Sequence, residues 1–153
     1  MAVEYCKAHI GRIFVAVVDH GEDLIEELKT LAREEEIKTG LFFLVGALKE
    51  ASMVRGPKKP EVPPEPSWFR FDDAREILAL GTLFSDADND EPFIHFHSVA
   101  GREEYLSMGC VREKAEVYLT VEVTIFELKG VTAGKSFDAA TGLKLLRFQA
   151  QSF

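Results

Sequence analysis

The sequence is poor in cysteine and has neither a long apolar run nor a recognisable export signal. It contains two cysteines in 153 residues, too few for the disulfide framework of a small secreted protein. No segment approaches the ~20 consecutive apolar residues that a membrane-spanning helix requires. The N-terminus, from Met1 to Cys6, lacks the basic start and the apolar stretch of a secretory signal. These absences predict a cytoplasmic protein with no membrane span and with reduced cysteines.

Proline is scarce outside one segment, and the sequence has no internal repeat or low-complexity tract. Five of the six prolines lie between Pro57 and Pro66, so this segment is predicted to be a loop. Neither side of the loop is long enough to make a convincing independent domain. Residues 1–153 are therefore predicted to form a single domain, which can bury a core without help from disulfides.

Positive charge is also in deficit. The sequence has 26 acidic and 18 basic residues and a formal net charge of −8, which at long range repels polyanions such as DNA. One local basic cluster, from Arg55 to Lys59, could still contact phosphates. The charge balance leaves DNA possible as a partner but disfavours it.

One main helix is predicted, from Glu22 to about Glu36, because apolar residues recur there at helical spacing. Glu22 and Asp23 suit the positive end of the helix dipole, and Gly40 suits the point where the helix stops. His20 precedes this helix and is interpreted as a polar cap. That interpretation gives His20 a structural role and not a metal-binding one.

Strands are predicted along most of the remaining sequence. Residues 41–45 are continuously apolar, as in a strand buried on both sides, and Gly46 then allows a close approach of another backbone or a ligand. Residues 115–128 alternate and predict a strand whose solvated face carries Glu127. The apolar run near the end of the chain, within residues 137–146, can complete the sheet. The expected fold class is α+β, with a mixed or antiparallel β-sheet and one main helix packed on it.

The most informative motif is Ile94-His95-Phe96-His97-Ser98, which Cys110 follows thirteen residues after His97. In a strand, His95 and His97 project from one face with their Cα atoms roughly 6 to 7 Å apart. Cys110 could return on the next strand of a hairpin and complete a set of nitrogen and sulfur ligands that suits zinc or another divalent transition metal. The alternative is that the histidines are solvated surface residues and that Cys110 is a small core residue. Spacing alone leaves both interpretations open.

Several sequence blocks, in their order along the chain, resemble the PPC family, the domain shared by plants and prokaryotes and found in plant AT-hook proteins. The resemblance covers nearly the whole chain and implies a prokaryotic stand-alone form. It implies an α+β fold, a homotrimer, and a site near the subunit contacts built around the His-x-His strand. The blocks are Gly21-Glu22-Asp23-Leu24, Leu44-Val45-Gly46-Ala47-Leu48, Glu76-Ile77-Leu78-Ala79-Leu80-Gly81-Thr82-Leu83, His95-Phe96-His97-Ser98-Val99-Ala100 and Thr141-Gly142-Leu143.

The chain departs from the family at the third ligand position. Family members commonly show Gly-Gly-His where this chain has Met108-Gly109-Cys110. The resemblance implies that Cys110 takes the place of the third histidine, which either keeps the metal site with a softer ligand or removes it. We favour the first alternative and expect His95, His97 and Cys110 to bind the metal.

Three functions are compatible with these features. The first is a metal-binding trimer that senses a small molecule at the metal or has a regulatory role. The second is a zinc-dependent enzyme that uses a metal-bound water, with Glu76, Glu103 or Glu104 as candidate general bases. The sequence has no nucleophile elbow, phosphate loop or cofactor fingerprint, which does not favour catalysis.

The third function is a DNA-associated regulatory protein, as the family description implies. Arg55-Gly56-Pro57 lacks the second arginine of an AT-hook, so it cannot supply the pair of cationic side chains that lies in a narrow minor groove. Trp68 and the phenylalanines are interpreted as core or trimer-contact residues, since aromatic residues at strand spacing usually pack. They are given no role in the site.

Overall fold

The computed structural model describes residues 3–148, which form eight strands and one helix. The predicted α+β class is confirmed as a mostly antiparallel β-sheet with one short helix, because every pairing between the named strands is antiparallel. Within residues 3–148, no helix is long and apolar enough to cross a bilayer. The elements are β1 (His9–Asp19), α1 (Leu24–Glu34), β2 (Thr39–Pro57), β3 (Pro66–Phe71), β4 (Arg75–Ser85), β5 (Pro92–Arg102), β6 (Tyr105–Lys129), β7 (Ala133–Asp138) and β8 (Leu143–Phe148).

Four strands of the main sheet close into a ring. Strand β2 pairs with β4, β4 pairs with β5, and β5 pairs with the first part of β6. The rest of β6 pairs back onto β2, while β1 and β3 are added at the sides of β6 and β2. The long strands β2 and β6 each pair along both of their edges. Bulges interrupt the register between them, and bulges bend a strand.

The hydrophobic core fills the inside of this ring. Phe42 and Phe96 are almost completely buried there, and their rings meet edge to face with centroids 6.0 Å apart. Helix α1 adds Leu24 and Leu28 to the same core. Gly81 faces these rings, and a Cβ at that position would lie 2.2 Å from the Phe42 ring. The inner face of the sheet is therefore fully occupied, and a site for other molecules has to use the outer face.

The helix is shorter than predicted and has a different cap. Asp23 is the N-cap, since its Oδ1 accepts hydrogen bonds from the backbone N–H groups of Ile25 and Glu26 at 3.0 and 3.1 Å. His20 is not the cap as predicted; its Nδ1 accepts a hydrogen bond from the backbone N–H of Leu119 at 3.0 Å. Gly40 does not stop the helix either, because it already belongs to β2.

Two strand predictions need correction and one is confirmed. Residues 41–45 are not buried on both sides, since Phe43 and Val45 are 44% and 48% exposed on the outer face. The run near the end of the chain does not complete the main sheet; it forms β8, which pairs with β7 in a separate two-stranded sheet. Gly46 is a close-approach position as predicted, because a Cβ there would lie 2.3 Å from the carbonyl oxygen of Thr120.

Glu127 is buried, although the alternating pattern predicted it on a solvated face. It shares the inward face of β6 with Ile125, two residues earlier, and only 2% of its side chain is exposed. Its carboxylate accepts hydrogen bonds from the backbone N–H and the guanidinium of Arg12, and from Lys129. The bonds from Arg12, the largest cause, and those from Lys129 lower the pKa of Glu127 from its usual 4.5 to about 2.

Glu127→Gln is expected to lower the free energy of unfolding by about 1 to 3 kcal/mol at neutral pH, the usual range for hydrogen bonds to a charged group. The folded-state pKa lies below the unfolded one, so this stabilisation is complete above about pH 4.5 and is lost as the pH falls to about 2. Urea unfolding of the two proteins at several pH values measures the difference. Glu35→Gln, which removes an exposed partner of Arg12, is the control. A difference that stays constant down to pH 2 would contradict the prediction.

Candidate metal centre

Strands β5 and β6 form a hairpin that carries the three predicted ligands. His95 and His97 alternate with Phe96 and Ser98, which are 1% exposed, so the histidines lie on the outer face. Residues 103–104 connect the strands, and His97 pairs directly with Cys110 across the hairpin. Directly opposed residues share a face of the sheet, and the local hairpin therefore brings all three side chains together.

The three side chains fit a small metal ion closely. One ligand atom from each of His95, His97 and Cys110 lies within 4.8 Å of the other two. In a tetrahedral zinc site these atoms would be about 3.3 to 3.6 Å apart, given Zn–N and Zn–S bonds of about 2.0 and 2.3 Å. An approach of roughly 1 Å is within the reach of side-chain rotation. The two nitrogens and one sulfur are the donors that zinc prefers.

His95 and Cys110 differ in how readily they can bind a metal at neutral pH. Burial, and next the charge of Lys135, lower the pKa of His95 to about 4, so His95 is neutral at pH 7 and available as a ligand. Burial raises the pKa of the Cys110 thiol, although Arg112 and Lys135 oppose this effect. Thiolate is the form that binds a metal, so an ion that binds Cys110 at neutral pH has to displace a proton.

A cavity of about 680 Å³ opens beside His97 and Cys110. Trp68, which the sequence analysis interpreted as a core or trimer-contact residue, lies in its wall. The reason is the order of the strands: Val54 of β2 pairs with Cys110 on one side and with Trp68 on the other. The other apolar lining residues include Pro64, Pro66, Met108 and Leu143.

Three cations lie near the cavity, and two of them, Arg112 and Lys135, were missed by sequence reasoning. Arg112 follows Cys110 by two residues in the same strand, a signal that was present in the sequence, and Arg112 and Arg55 both line the cavity. Lys135 comes from β7, with its ammonium 5.7 Å from the centre of the Phe93 ring. Burial, and then the charge of Arg112, lower the pKa of Lys135. No local pattern connects β7 to the histidines.

The candidate general bases lie elsewhere. Glu76 and Glu103 line a different cavity, which also contains Tyr118. Glu76 pairs with Gly101 at one end of β4 and β5, whereas His95 pairs with Thr82, six positions along β4, a separation of roughly 20 Å. Among residues 3–148, the cavity beside His97 has no acidic residue in its lining.

The basic cluster from Arg55 to Lys59 is divided by the fold. The guanidinium of Arg55 lies over the Phe69 ring, 4.8 Å from its centre, and Arg55 is among the residues that line the cavity. Lys58 forms a salt bridge with Glu65, while Lys59 is exposed in the proline-rich loop. The cluster therefore does not form a continuous basic surface.

The outer face of the sheet is defined by two rows of directly paired residues. It is largely apolar and ends at the candidate metal ligands His97 and Cys110. Leu78 and Leu80 are 61% and 62% exposed, and Val15 is 81% exposed. Contiguous apolar surface of this kind marks contact sites in proteins. The first row is Val15, Thr124, Phe43, Leu80, His97 and Cys110, and the second is Val17, Glu122, Val45, Leu78, Val99 and Met108.

Comparisons with known proteins agree with this architecture. The family model of the Plants and Prokaryotes Conserved (PCC) domain, elsewhere abbreviated PPC, matches residues 5–129. A metal-containing protein from Archaeoglobus fulgidus has 23% identity and a TM-score of 0.83, covering 95% of this chain and 99% of its own. A PPC protein from Pyrococcus horikoshii has 23% identity and a TM-score of 0.80, covering 97% and 99%.

A third solved structure, from Ralstonia eutropha, belongs to a protein whose name proposes DNA binding. It has 18% identity and a TM-score of 0.73, and the alignment covers 88% of this chain and 90% of that one. A comparison with curated proteins found no match. At these identities the solved structures establish the shared fold.

Proposed function

The chain belongs to the Plants and Prokaryotes Conserved (PPC) domain family, and from that premise we propose that it is a homotrimeric metal-binding protein that senses or presents a small ligand. His95, His97 and Cys110 hold the metal, which is zinc or another divalent transition metal. The observation that carries the proposal is the convergence of two nitrogens and one sulfur within 4.8 Å. The name of the Archaeoglobus fulgidus neighbour, a metal-containing protein, adds support.

Three protein ligands leave one position of a tetrahedral ion for an exchangeable molecule, and zinc bound there supplies a Lewis acid. The residues around it favour binding over catalysis by an activated water. Among the described residues the cavity beside His97 and Cys110 has no carboxylate that could serve as a base. The cavity beside His95 contains Asp86 and Glu91, but both are held in salt bridges, with Lys144 and Arg33. Glu76 and Glu103 line a third cavity. Trp68 and the prolines instead give the cavity a wall suited to holding an organic molecule.

Association into a trimer is supported by the outer face of the sheet. Side chains such as Val15, Leu78 and Leu80 are more than half exposed in one protomer, and covering apolar surface is the main driving force of association. The first row ends at the candidate ligands His97 and Cys110, and the second ends at Met108. A neighbouring subunit on this face would therefore lie beside the metal. The resemblance to the PPC family implies the same arrangement.

DNA association is the weaker alternative. The name of the Ralstonia eutropha neighbour favours it, but the formal net charge of −8 opposes it. The division of the Arg55 to Lys59 cluster, with Lys58 paired to Glu65, removes a basic ridge that could follow a phosphate backbone.

Elemental analysis of untagged protein, purified without added metal, tests the proposal. We expect near-stoichiometric metal in the wild type and its loss in His97→Ala. His9→Ala is the matched control, because His9 lies at the start of β1 and outside the ligand set. Light scattering on the same samples should give three times the chain mass of 17.1 kDa. A metal-free wild type, or equal metal in both variants, would rule out this site.

A further inference from the structure

Lysine and arginine side chains without a salt bridge are concentrated near the cavity beside the candidate metal ligands. Of the 18 lysines and arginines, 13 form a salt bridge with an aspartate or glutamate. Three of the five without such a partner in residues 3–148 are close to this site: Arg55 and Arg112 line the cavity, and Lys135 is near His95. The other two are Lys7 and Lys59.

Such a cluster is costly without a compensating anion. Lys135 is only 8% exposed, and burial, followed by the charge of Arg112, lowers its pKa. The chain has 26 acidic residues that could have neutralised these charges, yet none lines this cavity among the residues described. Cations that face a concave site without acidic partners raise the local concentration of anions.

The apolar part of the cavity wall indicates what kind of anion would fit there. Trp68 is 42% exposed and Met108 is 62% exposed, and Pro64 and Pro66 add further apolar surface. A volume of about 680 Å³ is within the usual range for a site that holds a small organic molecule. A planar ring can pack against the indole of Trp68 while a charged group at its other end faces Arg112.

We propose that this cavity binds a small organic carboxylate, whose carboxylate group is held by Arg112 and whose apolar or aromatic body packs against Trp68 and Met108. The guanidinium fork matches the geometry of a carboxylate. A free phosphate fits less well, because it needs more donors and gains nothing from the apolar wall. The inference rests on the proposed function, since it identifies the ligand that the metal-binding protein senses.

Trp68 is the one tryptophan in the chain, so its fluorescence reports on the cavity directly. The probe is phenylacetate, with phenylacetamide as its uncharged match and inorganic phosphate as an anion without an apolar body. Each is titrated into zinc-loaded and chelated wild type, into Arg112→Gln, and into Lys59→Gln. The last variant is the matched control, because it removes a neighbouring cation that does not line the cavity.

We expect saturable binding of phenylacetate to the wild type and to Lys59→Gln, and about 10- to 100-fold weaker binding to Arg112→Gln, the usual effect of losing a charge-assisted pair. Phenylacetamide and phosphate should bind at least about tenfold more weakly than phenylacetate. Equal phenylacetate affinity in chelated and zinc-loaded wild type would support the carboxylate site and show that it does not depend on the metal. Equal affinity in Arg112→Gln and Lys59→Gln, a preference for phosphate, or no saturation by roughly 10 mM would overturn the inference, even if zinc analysis finds a stoichiometric ion.

Discussion

Replacement of Cys110 by alanine is expected to weaken zinc binding at least about 100-fold at pH 8, because it removes one of three protein ligands and loss of a mere outer-shell partner already costs 10- to 100-fold. The thiol is buried in the hairpin opposite His97. Its replacement by alanine removes a single heavy atom, so the variant is expected to keep the fold. Competition with a chromophoric chelator measures the affinity. Cys6→Ala is the control, because Cys6 is the other free cysteine and lies outside the ligand set.

The pH dependence of the same titration separates a ligand from a core cysteine. Burial raises the pKa of Cys110, so binding displaces one proton and zinc affinity should rise by up to about tenfold from pH 7 to pH 8. His95 adds nothing to this slope, since its pKa is about 4. The zinc affinity of Cys110→His should rise less steeply with pH than that of the wild type. Unchanged affinity in Cys110→Ala would show that Cys110 is a core residue and not a ligand.

Leu78→Glu is expected to convert the proposed trimer into monomers. Leu78 lies in the middle of the second row of the outer face, between Val45 and Val99, and is 61% exposed in one protomer. The charge is therefore tolerated by the isolated fold, but a subunit contact would bury it without a partner, at a cost of about several kcal/mol. Light scattering at several concentrations measures the change in mass.

Val62→Glu is the matched control for the outer face. Val62 is 72% exposed in the proline-rich loop and belongs to neither row, so the variant should keep the mass of the wild type. Circular dichroism on both variants checks that the fold is retained. A Leu78→Glu protein that remains trimeric would place the subunit contact on another surface.

The local features of this protein could be predicted from the sequence. The His-x-His spacing fixed His95 and His97 on one face, because side chains alternate in a strand. Two connecting residues between β5 and β6 then bring Cys110 opposite His97. The helix was also recognisable from its apolar spacing, although its first and last residues were wrong. These features depend on neighbours in the chain, which a sequence pattern records directly.

The surroundings of those residues could not be predicted from the sequence, because they depend on the tertiary fold. Trp68 reaches the site because β2 lies between β3 and β6, with Val54 paired to Trp68 on one side and to Cys110 on the other. Lys135 reaches the site from β7, and Glu127 is buried beside Arg12 at the end of β6. Alternation shows which residues of a strand share a face, but it does not show which strands pair, where bulges bend them, or which face another element covers. Those choices are made by contacts between segments far apart in the chain.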